Sequence, residues 1–233
     1  EYDEAPGLRP GMKTVGRRLN TFLGYVTNGL YENYTDVEES PTSTLGNIAI
    51  SPGDIKYVDQ PDANGNYDGR ITSDDRVEIG DPWIPEIVYG FGPSMRWKNW
   101  DFSFFFQGQT NVSLIMENFE PFGERSARGV LAWIADDYWS PDYPNVNAKH
   151  PRLTRLTNNH NMQVSTYWLR DASFLKLKNV ELGYSYKKAR FYISGSNLLT
   201  ISPFKHWDPE VGTGAGMQYP TQRIFNLGIQ MSF

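Results

Sequence analysis

The stretch "NGNYDGRITSDD", Asn64 to Asp75, carries oxygen-bearing side chains at alternate positions. That is the arrangement a hard cation such as calcium requires. With Asp68 and Gly69 set at positions five and six of a calcium loop, Asn64 falls at one, Asn66 at three and the Arg70 carbonyl at seven. Thr72 then takes nine, Asp75 takes twelve, and Ile71 fills the apolar eighth place. The stretch departs from the pattern twice: Asn64 stands where an aspartate is usual, and Asp75 is shorter than a bidentate glutamate. Asp62, just outside, is a substitute for the first ligand. Two readings stay open, a calcium that stiffens a loop and an Asx-rich turn closed by its own side-chain to backbone hydrogen bonds. Neither implies catalysis.

A second chemistry is offered by rings. Trp133, Tyr138, Trp139 and Tyr143 crowd one stretch, and Phe119, Phe122, Tyr167, Trp168 and Trp207 lie in or beside other loop-like segments. Such side chains stack on sugar rings or on a partner protein, having large area and, for Tyr and Trp, a polar tip; equally, they pack loops against one another. Other constellations are lacking. His150, His160 and His206 are too scattered for a zinc set, and no nucleophile-elbow, P-loop or dinucleotide motif occurs. The pairs Glu38-Glu39, Asp74-Asp75 and Asp136-Asp137 are adjacent in sequence, which does not make the facing acid and base of a glycosidase. No enzyme is expected.

Composition narrows the class further. The 22 basic and 27 acidic residues among 233 give a net charge of -5, which argues against a nucleic-acid surface. There is no cysteine, so thiolate metal sites and disulfide scaffolds are excluded. Mean hydropathy is -0.54, and no run of about eighteen apolar residues suggests a membrane helix. Barrel strands, only half apolar, are not excluded. The chain opens on "EYDEAPGLRPGMK", without the pattern of a signal or transit peptide, so it reads as either a mature chain or a piece of a longer one. Aromatic residues reach 15%, with 7 Trp, 14 Tyr and 13 Phe, a richness shared by sugar-binding surfaces, barrel girdles and large aromatic cores.

The elements that must carry these residues are strands. In "EIVYGFGPSMRW" the residues Ile87, Tyr89, Phe91, Met95 and Trp97 alternate with Val88, Gly90, Gly92, Ser94 and Arg96. After Lys98-Asn99, "WDFSFFFQGQ" places Phe102, Phe104 and Phe106 on one face, which predicts an antiparallel hairpin. "SFLKLKNVELGYSY" shifts phase near Asn179, read as a bulge or a face exchange. Lys187-Lys188 then turns the chain into "ARFYISGSNLLTI", and "IFNLGIQMSF" closes it with Phe225, Leu227, Ile229, Met231 and Phe233 on one side. Residues 13–31 suggest one or two short strands with a turn at Asn28-Gly29, 32–82 a long structured loop, and 111–165 a second excursion with a short helix within "ARGVLAWIADDYW". Short turns alternating with long connections are the asymmetry of an outer-membrane barrel, and connections of about fifty residues are unusual in a soluble sandwich.

In order, "FLGYVTNGLYEN", "SPGDIKYVD", "NGNYDGRITSDDRVEIGDPWIPEIVYGF", "WDFSFFFQG", "LRDASFLKLKNVELGYS", "RFYISGSNLLTI", "WDPE" and "YPTQRIFNLGIQMSF" cover nearly the whole chain. Together they resemble the C-terminal part of a SusC/RagA-type TonB-dependent outer-membrane transporter. The resemblance implies an all-β fold, the last antiparallel strands of a transmembrane β-barrel of about 22 strands with a plugged lumen and long extracellular loops. Residues 1–233 would then be the C-terminal segment, the plug domain, the TonB-contacting part and the earlier strands having no counterpart in this chain. It also implies a SusD-like lipoprotein partner, the TonB complex acting through the missing N-terminal part, outer-membrane lipid around the barrel, and import of glycans, oligosaccharides or peptides. Phe233 would be the terminal aromatic read by the barrel-assembly machinery, or else an ordinary core phenylalanine. The competing reading is a soluble, secreted, calcium-stabilised carbohydrate-binding β-protein.

Overall fold

The computed structural model describes residues 11, 13, 15–117 and 129–232. They fall into two compact units, the first within Glu1–Gly80 and Ile115–Leu169, the second within Asp81–Leu114 and Arg170–Phe233.

The first unit is made of short pieces. Its strands β1 (Phe22–Gly24), β2 (Thr27–Leu30), β3 (Thr42–Ser43), β4 (Ile55–Tyr57), β5 (Arg70–Ile71) and β6 (Val77–Ile79) pair as β1 with β6, β2 with β4, and β3 with β5. The 32–82 region is therefore more than a loop. It also holds helix α1 (Tyr34–Glu39), whose first turn is closed by the Asn33 side chain accepting the Asp36 amide. The expected turn at Asn28-Gly29 lies inside β2, where Gly29 takes φ 73° and pairing with β4 shifts register. The expected helix of the second excursion is α2 (Ala132–Asp136), one short turn that buries Ile134.

Backbone bonds join the two sequence segments of this unit: the Tyr25 amide donates to the Val164 carbonyl, Leu30 to Val146, and Arg152 to Gly53. Its core contains Tyr31, Ile55, Tyr57, Ile71, Ile79 and Trp168. At its centre the carboxylate of Asp54, fully buried, receives Arg152 Nε at 2.7 Å and Nη2 at 3.0 Å, and the amides of Asn158 and Asn161 at 2.9 Å each. The Ser51 backbone amide adds a fifth donor at 2.9 Å. A buried charge is tolerated here because its oxygens are filled by donors.

The second unit is one six-stranded sheet. Strands β7 (Ile87–Phe91), β8 (Ser94–Trp97) and β9 (Trp100–Thr110) come first, and β10 (Ser113–Ile115) and β11 (Leu169–Asp171) mark where the chain passes between the units. Strands β12 (Phe174–Tyr186), β13 (Ala189–Ile201) and β14 (Ile224–Met231) complete it, in the order β14-β13-β12-β9-β7, with β8 also on β9. All the pairings are antiparallel, as the alternation predicts. The single strand expected over 87–97 is split at Gly92-Pro93. Proline has no amide to donate, and a Cβ on Gly92 would lie 2.1 Å from the Phe104 carbonyl oxygen. The phase shift near Asn179 is a register irregularity between Leu177 and Asn179, so both halves of β12 keep their apolar residues on the side of Phe104 and Phe106. The two short turns are as expected, with Lys98 and Lys187 in left-handed conformation at φ 55° and 52°.

Candidate functional site

Cross-strand register turns the alternation into two contrasting faces. On one, Met95, Phe102, Leu182, Ile193 and Leu227 are partners in a continuous row over β8, β9, β12, β13 and β14, and Trp97, Trp100, Tyr184, Phe191 and Ile229 form the next. Many of these side chains are bare, Leu227 to 85% and Trp97 to 69%. A contiguous exposed apolar surface of this kind marks an interaction with lipid or protein.

The opposite face is polar. Ser94, Ser103, Glu181, Ser194 and Asn226 make one row. Arg190 is held between Asp101, at 3.0 Å from Nε and by a second bond from Nη2, and Glu181, at 2.6 Å. Further along β12, Lys176 has no exposed surface; its Nζ meets both Asp208 oxygens at 2.8 and 2.7 Å and also Glu210. Lys178 reaches the other Glu210 oxygen at 2.5 Å. Burial works against ionising Asp208 and Glu210, but the lysine contacts, with the Glu210 amide on Asp208, hold both carboxyls below their ordinary values. The "WDPE" segment is thus fastened to the sheet by charge.

The proposed calcium loop is folded by its own side chains. Asp62 Oδ1 accepts the amides of Asn64 at 2.8 Å and Asn66 at 2.9 Å, and Asp68 Oδ1 accepts that of Arg70 at 2.9 Å. Asn64, Asn66, Asp68 and Arg70 are exposed. Asp75 is buried: Oδ1 accepts the Gln60 amide at 3.0 Å, and Oδ2 accepts the Thr72 amide at 2.7 Å in a capping box around the 3₁₀ turn Ser73–Asp75. Among the described residues no three His, Cys, Asp or Glu side chains gather as a metal set. Spacing alone missed Asp59, whose Oδ2 accepts the Gly69 amide at 2.8 Å. Burial, with Asp75 beside it, pushes the Asp59 carboxyl above its ordinary value.

The loop aromatics divide by burial. Trp139, 7% exposed, lies against Gly53, and Trp168, 6% exposed, donates Nε1–H to the Asn161 carbonyl at 2.7 Å. Trp133 meets the His150 ring edge-on, and Tyr138 bridges to His150. Trp207 packs on Phe204 and donates to the Gly212 carbonyl at 3.1 Å. Tyr143, at 66%, is the ring of this set that stands open. Phe119, Phe122 and Phe233 lie outside the described residues. His160 is buried; its Nε2–H donates to the Ile55 carbonyl at 2.7 Å, and burial lowers its pKa. The first unit also has a polar cleft of about 520 Å³ lined by Asn28, Glu32, Asp36, Glu39, Lys56 and Asn147 among others. Asp36 and Lys56 pair there at 2.5 Å.

The second unit is a two-faced antiparallel sheet with long connections, and no described helix is long and apolar enough to cross a membrane. No family model matches the chain. It is 28% identical over 258 residues to TonB-dependent receptor P3 of Formosa agariphila, covering 99% of this chain and 24% of that protein. It is 27% identical over 223 residues to TonB-dependent receptor SusC of Bacteroides thetaiotaomicron, covering 91% and 20%. The solved structure of the RagAB peptide transporter superposes with a TM-score of 0.65 at 25% identity, over 91% of this chain and 23% of that one. The chain thus spans about a quarter of the length of the curated relatives it matches. These relatives bear out its resemblance to the C-terminal part of SusC/RagA-type TonB-dependent transporters.

Proposed function

We propose that this chain forms the closing wall of an outer-membrane, TonB-dependent importer. The registered apolar rows carry that reading. They would face lipid, while Ser103, Glu181, Asn226 and the Arg190 cluster would face a polar lumen closed by further strands, in the manner of a large plugged barrel. The long connections would lie outside the cell, with Tyr143 among the rings available to a substrate or a SusD-like surface lipoprotein. Glycans, oligosaccharides or peptides would be the cargo, because SusC and the RagAB peptide transporter are both among the proteins it resembles. Gating would depend on a plug and a TonB complex supplied by the rest of the transporter.

Fractionation of native cells tests this, followed by electrophoresis of the membrane extract with and without heating, probing for a peptide from β14. The expected result is a heat-modifiable band well above 26.7 kDa that only detergent extracts. A soluble band at 26.7 kDa would sink the proposal and favour the secreted carbohydrate-binding β-protein.

A further inference from the structure

Asp59 holds an oxygen whose surroundings are incomplete. The side chain is 7% exposed, Oδ2 takes the Gly69 amide, and Oδ1 is buried with no hydrogen-bond partner. The fully buried Asp75 carboxylate neighbours the Asp59 carboxyl. Both groups only accept when ionised, and Asp68 adds a third negative charge nearby. Facing buried carboxylates repel unless a cation or a shared proton sits between them.

From this geometry we infer that Asp59 and Asp75 bind a divalent cation of the calcium class, with neutral loop oxygens completing the shell and the Asp68 charge nearby. The inference is independent of the transport reading. The choice of cation follows from the donors. Three acidic or imidazole side chains do not gather among the described residues, so the remaining ligands must be carbonyl, amide or water oxygens. An all-oxygen shell of mixed charge suits calcium, whose geometry is permissive, better than zinc, which takes nitrogen and sulfur, or magnesium, which demands a near-ideal octahedron. A site with so few charges belongs at the weak end of calcium affinities, that of extracellular modules. The ligand frame also differs from that set by the spacing of Asn64 to Asp75. Asp59, five residues ahead of Asn64, takes the first place.

The test uses the full polypeptide carrying this chain, purified and stripped of metal with chelator, then titrated calorimetrically with calcium chloride and separately with magnesium chloride. One saturable calcium heat is expected, together with a melting temperature that rises with calcium. Asp59→Asn should weaken binding about tenfold or more and abolish that rise, because it removes one of few formal charges. Asp68→Asn should weaken it less, and Asp75 is left intact because it also caps the turn. Absence of saturable binding, or equal affinity in Asp59→Asn, would overturn the inference. So would an Asp59→Asn protein that melts higher than the parent whether or not calcium is present, which would assign the pair a shared proton instead.

Discussion

In the first unit Tyr57 and Trp168 are turned inward, at 2% and 6% exposed, whereas in the second Trp97 and Leu227 stand at 69% and 85%. Polar groups run the other way. The first unit buries Asp54 under its donors, and the second gathers Arg190, Asp101 and Glu181 on the face opposite its apolar rows. Side-chain type alone does not fix burial. The first unit is organised around a centre, the second as a partition between an apolar and a polar face, and substitutions should behave differently in each.

The largest effect is expected at that centre. Asp54→Ala leaves Arg152 without its partner and should cost about 3–5 kcal/mol, read by denaturant unfolding of the full polypeptide; a loss under about 1 kcal/mol would show that the cluster is not central. Next comes the partition. Leu227→Arg should cost about 2–4 kcal/mol in a bilayer if its face meets lipid, while Asn226→Arg, one residue along on the other face, should change stability little. Equal costs would remove the contrast. Gly53→Ala is third, at about 1–3 kcal/mol, because Gly53 has φ 86° and a Cβ there would sit 2.3 Å from the Trp139 ring; its thermal melt checks this.

The smallest effects are in pH. His160 has a lowered folded pKa, so the unfolded chain binds its proton first; its stabilising contribution is complete above about pH 6.5 and falls as pH drops below it. Asp208 and Glu210 are also lowered, but as carboxylates they hold their contribution down to about pH 4 and lose it below. Proteolysis across this range should therefore open the His160 region at milder acidity than the 202–223 connection. The reverse order would contradict the assignment.

How much of this could be read beforehand follows from the same contrast. Strands β9, β12, β13 and β14 have 8 to 13 residues, long enough for a period of two to show, and even the Asn179 slip was visible as a change of phase. The strands of the first unit have 2 to 4 residues, too short for any period. Asp54 and Arg152 lie 98 positions apart, and no local pattern joins them. The twelve-position frame from Asn64 to Asp75 does not reach Asp59, so local spacing could not join Asp59 to Asp75. Trp139 and Tyr143 look alike in sequence; only packing separates the buried ring from the open one.

The Lys176 clamp has a consequence in the language of polymers. Residues 202–223, between β13 and β14, would as a free chain explore one large loop. Fastening Asp208 and Glu210 to a fully buried lysine divides them into a short, stiff approach and a longer span beyond Val211. Loop entropy grows only slowly with length, so the far span can lengthen at little cost while the near one cannot without slackening the clamp. Variation in size should therefore collect after Val211, where it changes the reach of the loop but leaves its root in place.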